Sequence, residues 1–235
     1  MRGEIMDWLV VLNEVQDSME PFAKQHYKTA YRMEEIYYWY HVAKWIIEDS
    51  QNADINNILD VGCGHGTLSV FSKMLYNCDV TCIDAINYMS QEMVQHFELN
   101  YELMDIEVNM DKIYHPKHYD RIIFTEVIEH LYFNPVPTME KLHEILKDDG
   151  KLFLSTPDSV EWGYLNGFYS HVGQMPNPGD IDKPDFSTID QHIYQYSRGE
   201  LERVIQESGF YINKFSYCKI GNRARHLNYE LIKKI

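Results

Sequence analysis

Asn57-Ile58-Leu59-Asp60-Val61-Gly62-Cys63-Gly64-His65-Gly66-Thr67 carries an apolar run straight into three alternate glycines. Ile58, Leu59 and Val61 predict a strand buried in the middle of a parallel sheet. Glycine at 62, 64 and 66 lets backbone approach a ligand closely and accepts dihedrals that a Cβ forbids. Leu68, Phe71, Met74 and Leu75 follow at helical spacing, so the turn opens a helix whose N-terminus faces the same crevice. A dinucleotide fingerprint would need its third glycine at position 67, where this chain has threonine, which argues against a nicotinamide cofactor.

Outward from this stretch, residues 79–84 predict a second buried strand ending in Asp84, 22 residues after Gly62. A carboxylate there can accept from both hydroxyls of a ribose, or it can cap a stretch opening at Ile86. Residues 101–104 read as a third, short strand with Asp105 and Ile106 just past its end; Asp111 is a neighbouring alternative. Ile122 to Phe124 continue a fourth buried strand, placing Thr125 and Glu126 at its carboxyl end, where open α/β sheets bind ligands. Met139, Leu142, Ile145 and Leu146 predict a helix that stops at Gly150, before a fifth strand over 151–157. Ser197 and Glu200 form a capping box ahead of Leu201, Val204 and Ile205. Residues 210–217 and 228–232 read as a closing pair of strands around a loop holding Arg223 and Arg225, either solvated or reaching an acidic acceptor.

At the N-terminal end, Ile5, Trp8, Leu9 and Leu12 share one helical face, as do Ile36, Tyr40, Ala43 and Ile47 in a second helix over 28–48. The aromatics Tyr27, Tyr31, Tyr37, Tyr38, Trp39 and Tyr40 are packing residues or a lid. Residues 158–191 lack periodicity and are punctuated by Gly163, Gly167, Gly173, Pro176, Pro178, Gly179 and Pro184, while Trp162, Tyr164, Phe168 and Tyr169 argue for a substrate-covering loop. The expected organisation is a helical cap over 1–50 and one domain over 51–235 with this insertion.

Twenty-one basic against 36 acidic residues give a net charge of −15, which opposes binding to nucleic acid. Cys63, Cys78, Cys82 and Cys218 form no C-x-x-C pair, so neither a disulfide framework nor a zinc ribbon is expected and a reducing cytoplasm is the natural setting. The run 8–12 is too short for a signal peptide, and no 18-residue apolar stretch predicts a membrane span.

Asp60-Val61-Gly62-Cys63-Gly64-His65-Gly66 resembles motif I of the class I S-adenosylmethionine-dependent methyltransferases, acid-x-G-x-G-x-G. The resemblance implies an α/β, Rossmann-like, seven-stranded, mostly parallel sheet flanked by helices, with an N-terminal helical lid. It also implies S-adenosylmethionine on Asp60, Gly62, Cys63, Gly64 and Gly66, its ribose at Asp84 and Ala85, its adenine at Asp105 and Ile106, and further contacts from Thr125 and Glu126.

A methyl sulfonium is already activated, so such a protein must align donor and acceptor, exclude water and take the acceptor's proton. Glu126, Glu129 and His130 form E-x-x-E-H, and a helix starting near Val127 would project them from one face. With His192 they offer two carboxylates and two imidazoles for a divalent ion that would acidify a bound hydroxyl. Without an ion, Glu126 positions the cofactor's amino group, His130 packs beneath the sheet and His192 is a lone general base. His192, His130 and Glu129 are therefore the catalytic candidates, with His171 a further base or an exposed loop residue. The quartet is similar to the metal site of small-RNA 2′-O-methyltransferases, and E-x-x-E-H recurs in ubiquinone-biosynthesis and glycan-biosynthesis methyltransferases. The expected function is O-methylation of a small-molecule hydroxyl on a sugar, phenol or quinone precursor. The alternatives are metal-dependent RNA 2′-O-methylation, opposed by charge, and a non-catalytic cofactor-binding protein.

Overall fold

β1 (Asn57–Val61), β2 (Asp79–Asp84), β3 (Asn100–Leu103), β4 (Tyr119–Thr125), β5 (Leu146–Pro157), β6 (Phe210–Ile220) and β7 (Arg223–Lys233) form one sheet in the order β3-β2-β1-β4-β5-β7-β6. The first five strands run parallel and β7 is antiparallel to both β5 and β6. The computed structural model describes residues 7–51, 54–162, 168–183 and 191–234. Readings made for Ile5, Gly163, Tyr164, Gly167 and Pro184 lie outside these ranges.

Strand alternation builds two cores, one on each face of the sheet. Leu59, Val61, Ile122, Phe124, Leu152 and Leu154 point to one face, under α6 (Pro135–Ile145) and α8 (Arg198–Glu207). Ile58, Val80, Cys82, Ile123 and Phe153 point to the other, against α1 (Trp8–Met19), α2 (Arg32–Ser50), α3 (Thr67–Tyr76) and α4 (Gln91–His96). The helix starts follow capping chemistry: Asp7 accepts from Leu9 N–H, Ser90 from Met93 N–H, and Asn134 from Val136 N–H ahead of Pro135. Glu200 accepts from the Ser197 N–H, closing the expected capping box.

The second N-terminal helix is built into the core. Trp39, Val42, Ala43, Trp45, Ile46 and Ile47 are buried, and Asp49 takes a bidentate pair from the buried Arg121 of β4 at 2.6 and 3.0 Å. Removing one partner of such a buried pair costs about 3–5 kcal/mol, so α2 is riveted to the sheet. Among the described N-terminal residues, His26 and Tyr31, at the two ends of the segment holding a single π-helical turn over Tyr27–Tyr31, are the ones that line the cleft described below.

Three boundaries differ from the periodicity. The sixth helix ends at Ile145 rather than Gly150, because Leu146 already pairs with Tyr119 in the sheet. The closing strands turn over two residues, Gly221 and Asn222, with Gly221 at φ +58, so Arg223 and Arg225 lie on β7 rather than in a loop. No helix opens at Ile86; the next begins at Gln91.

Candidate active site

A cleft of about 650 Å³ opens at the carboxyl ends of β1, β2, β3 and β4. Gly62, Gly64, Asp84, Ala85, Asp105, Ile106, Thr125 and Glu126 line it, so eight of the expected cofactor residues converge from four strand ends. The volume falls in the range of about 300–1,000 Å³ common for small-molecule sites.

The glycine turn contributes room more than donors. Gly62 and Cys63 N–H both donate to Ile83 O and Gly66 N–H donates to Cys63 O, so these amides are spent on pinning the turn to the tip of β2. Gly62 has φ +68, and a Cβ there would lie 2.2 Å from a Val127 methyl; at Gly64 a Cβ would meet nothing within 4 Å. Asp84 completes the corner, its Oδ2 accepting from Gly64 N–H at 2.8 Å and its Oδ1 from Ile86 N–H at 2.7 Å. The carboxylate lines the cleft with its position set by these two amides.

Asp60, Cys63 and Gly66 do not line this cleft; Asp60 and Cys63 line a small pocket that adjoins it at Gly62, His65 and Thr125. Asp60 is buried beneath the turn and accepts from Ser69 Oγ at 2.5 Å; burial pushes its carboxyl up to about 7 against that hydrogen bond. Cys63 is buried, and burial raises its thiol well above the ordinary range. Gly66 packs on Met89 and Met93. These residues pack behind the turn, Asp60 under the start of the third helix through Ser69 and Gly66 against the two methionines. Beside them, Glu35 of α2 accepts from Thr67 Oγ1 at 2.6 Å and from Gln16 Nε2 at 2.8 Å. Its burial outweighs those bonds and raises the carboxyl to about 8.

The Asp105 end of the cleft carries an unforeseen cation. Asp105 accepts from Glu107 N–H, and Lys183 from the insertion reaches Asp105 at 2.5 Å and Glu107 at 2.6 Å. Asp111 is exposed and does not line the cleft. At the opposite end, His65 of the turn has Tyr27, Tyr31 and Tyr88 rings within 5.1 Å, centroid to centroid. His26, Tyr31, His65 and Tyr88 line the cleft, and sequence spacing gave no sign of this cluster because its members come from three separate segments.

Of the four residues expected to hold a metal, the structure brings together three. Glu129, His130 and His192 offer ligand atoms within 4.8 Å of one another. Glu129 is buried and accepts from Thr156 Oγ1 at 2.8 Å, while its carbonyl accepts from Ile193 N–H at 2.7 Å. His130 Nδ1 lies 3.1 Å from Gln191 O and His192 Nδ1 lies 3.0 Å from Gln195 Nε2, so each imidazole is oriented through one nitrogen. Glu126 leaves the group: no α-helix starts at Val127, only a 3-10 turn over Ile128–His130, and Glu126 itself sits at φ +53. Its carboxylate turns to Ser155 Oγ at 2.6 Å and His226 Nδ1 at 3.0 Å. His171 is exposed at the start of another short turn and does not line the cleft.

Residues 33–214 match the family described as Methyltransferase domain. Over 180 residues the chain is 31% identical to the ubiquinone biosynthesis O-methyltransferase of Rickettsia bellii, covering 69% of this chain and 74% of that protein. It is 32% identical over 123 residues to the mitochondrial ubiquinone biosynthesis O-methyltransferase of Dictyostelium discoideum, spanning 38% of that protein's length. Matches over less than half of the chain also include N- and C-methyltransferases, of which it spans a third or less. In fold, it superposes on the Burkholderia thailandensis 1,6-didemethyltoxoflavin-N1-methyltransferase with a TM-score of 0.61 at 12% identity, covering 100% of this chain and 92% of the other. The chain belongs to the methyltransferase-domain family, as the resemblance in motif I implies.

Proposed function

We propose that the protein transfers a methyl group from S-adenosylmethionine to a hydroxyl oxygen of a small organic acceptor. The observation that carries this reading is the Glu129–His130–His192 group at the rim of a cleft shaped for a nucleoside. S-adenosylmethionine, when bound, supplies a methyl group on a sulfonium, an electrophile that needs no further activation. Asp84 is the acceptor for the ribose hydroxyls, Gly62 and Gly64 leave the space in which the nucleoside lies, and Asp105 and Ile106 flank the adenine. With the Gln195 side-chain oxygen turned toward Nδ1, His192 keeps its own proton there and takes the hydroxyl proton at Nε2; His130 and the buried Glu129 hold it in place and stabilise the positive charge that follows. Oxygen as the methylated atom agrees with the relatives that cover two thirds of the chain or more, which are named as O-methyltransferases.

A second form of the same site is favoured by the ligand spacing. Two imidazoles and one carboxylate suit zinc, manganese or iron, and such an ion would lower the pKa of a bound hydroxyl. An RNA acceptor is disfavoured by the −15 charge. No described helix is long and apolar enough to cross a membrane, and four buried free cysteines suit a reducing compartment such as the cytoplasm.

The test is methyl transfer from labelled S-adenosylmethionine to a panel of catechols, phenols and sugars, with and without EDTA. Transfer to a hydroxyl supports the reading, and transfer only to nitrogen or carbon would reject it. Loss of turnover in EDTA that manganese or zinc restores would assign the ion; unchanged turnover would leave His192 as the base.

A further inference from the structure

Glu126 and His226 are left unused by the chemistry above, and both are unusual. Glu126 holds φ +53, a left-handed conformation that costs a non-glycine residue about 1–2 kcal/mol. It does so at the rim of the cleft, between Thr125 and Val127, which also line it. Strained backbone persists where the surroundings over-determine it. Here Ser155 Oγ donates to one carboxylate oxygen, Glu126 N–H donates to Ser155 O, and His226 Nδ1 stands 3.0 Å from the other carboxylate oxygen, near enough to pair with it as an imidazolium. Val127, next in the chain, then fills the space above Gly62 that a Cβ would occupy. The position of Glu126 thus sets the pressure of β4's tip on the glycine turn.

His226 is 1% exposed, and both of its ring nitrogens are buried without a hydrogen bond, Nδ1 standing 3.0 Å from the Glu126 carboxylate. Its ring lies between Tyr38 of the second helix, 4.7 Å away, and Trp162 at the end of α7 (Ser159–Trp162), 5.1 Å away. Beyond Trp162 stands Arg225, its guanidinium 3.7 Å from the ring centroid. Asn228 Nδ2 donates to Tyr38 O, and the second helix breaks its helical dihedrals at the next residue, Trp39. One imidazole is therefore the meeting point of the cleft rim, the N-terminal helices and the insertion.

Resting on the reading of the cleft as a nucleoside site, we propose that Glu126 and His226 are a positioning pair that couples occupancy of the cleft to the packing of the insertion at Trp162. Filling the cleft loads Val127 and Glu126, the pair transmits that load to the imidazole, and the contact with Trp162 tightens. The charged and titratable groups around the imidazole are Glu126 from β4, Tyr38 from α2, Asp158 and Trp162's neighbour Glu161 from the insertion, and Arg225 and Cys218 from the closing strands.

The experiment titrates S-adenosylhomocysteine into the full chain by calorimetry while tryptophan emission is followed, with Trp162→Phe identifying the Trp162 component. Wild type is expected to bind and to change its Trp162 emission on saturation. Glu126→Gln, which keeps the side chain's shape, is expected to weaken binding by about tenfold and to abolish the Trp162 response while its melting temperature stays close to wild type. His226→Asn, which retains a donor at the Nδ1 position, is expected to bind more tightly than Glu126→Gln yet also to lose the Trp162 response. Affinities within twofold of wild type with an intact Trp162 response in Glu126→Gln would overturn the proposal. An absence of binding by the wild-type chain would instead overturn the nucleoside site itself, and this coupling with it.

Discussion

Two carboxylates three residues apart, Glu126 and Glu129, meet different histidines on opposite sides of the sheet's tip. Each is held by one of two successive β5 residues, Ser155 and Thr156, and successive strand residues face opposite ways. Glu129 shares its side with His130 and His192 around an open group beside the cleft, whereas Glu126 lies 3.0 Å from the buried His226 beneath Tyr38 and Trp162. The same residue types therefore serve two ends: one arrangement can accept a proton from a ligand, and the other holds backbone in a conformation it would not keep alone.

That division is broken most severely at the open group. His192→Ala and Glu129→Gln should each lower turnover by about 10²–10⁴-fold while S-adenosylhomocysteine affinity, read by calorimetry, stays within twofold. A variant that loses affinity and turnover together would place the open group in nucleoside binding instead. The next effect in size falls on the glycine turn beneath Val127. Gly62→Ala combines a φ of +68 with a Cβ 2.2 Å from Val127, and should cost roughly 2–4 kcal/mol in denaturant unfolding. Adding Val127→Ala should recover a large part of that loss, and failure to do so would mean that the contact is not what excludes a side chain there.

A smaller effect concerns the support behind the turn. Burial holds the Glu35 carboxyl at about 8 against an ordinary 4.5, so the folded state binds more protons than the unfolded chain between those values. Stability from this group is full below the unfolded value and falls as pH rises toward 8. Glu35→Gln should flatten the decline in melting temperature between pH 5 and pH 8, leaving the smaller contribution of Asp60, raised from 3.8 to about 7. An unchanged slope would remove Glu35 from the account.

The cleft was legible in the sequence because its makers are local. Gly62, Gly64, Asp84 and Thr125 each end or follow an apolar strand and Asp105 follows the short polar β3, and the parallel topology carries every such end to one edge. The placement of Asp60 and Cys63 in the small adjoining pocket was not legible, because a motif does not say which side of its turn each residue faces. The fate of Glu126 depended on a left-handed residue and a 3-10 turn where spacing suggested a helix, a conformational choice fixed by Ser155 and His226 from distant segments. His226 itself lies 100 positions away and read as part of a loop, so no local pattern marked it. The Lys183 bridge and the rings around His65 were hidden for the same reason.

The central claim, that this cleft holds the adenosyl group with Asp84 on its ribose, is tested most directly by titrating S-adenosylhomocysteine into the wild-type chain and into Asp84→Asn in parallel. Wild type should bind one equivalent and Asp84→Asn should bind about 10–100-fold more weakly, the loss of a hydrogen-bonded charged group. Equal affinities in the two proteins, or no heat in either, would contradict it.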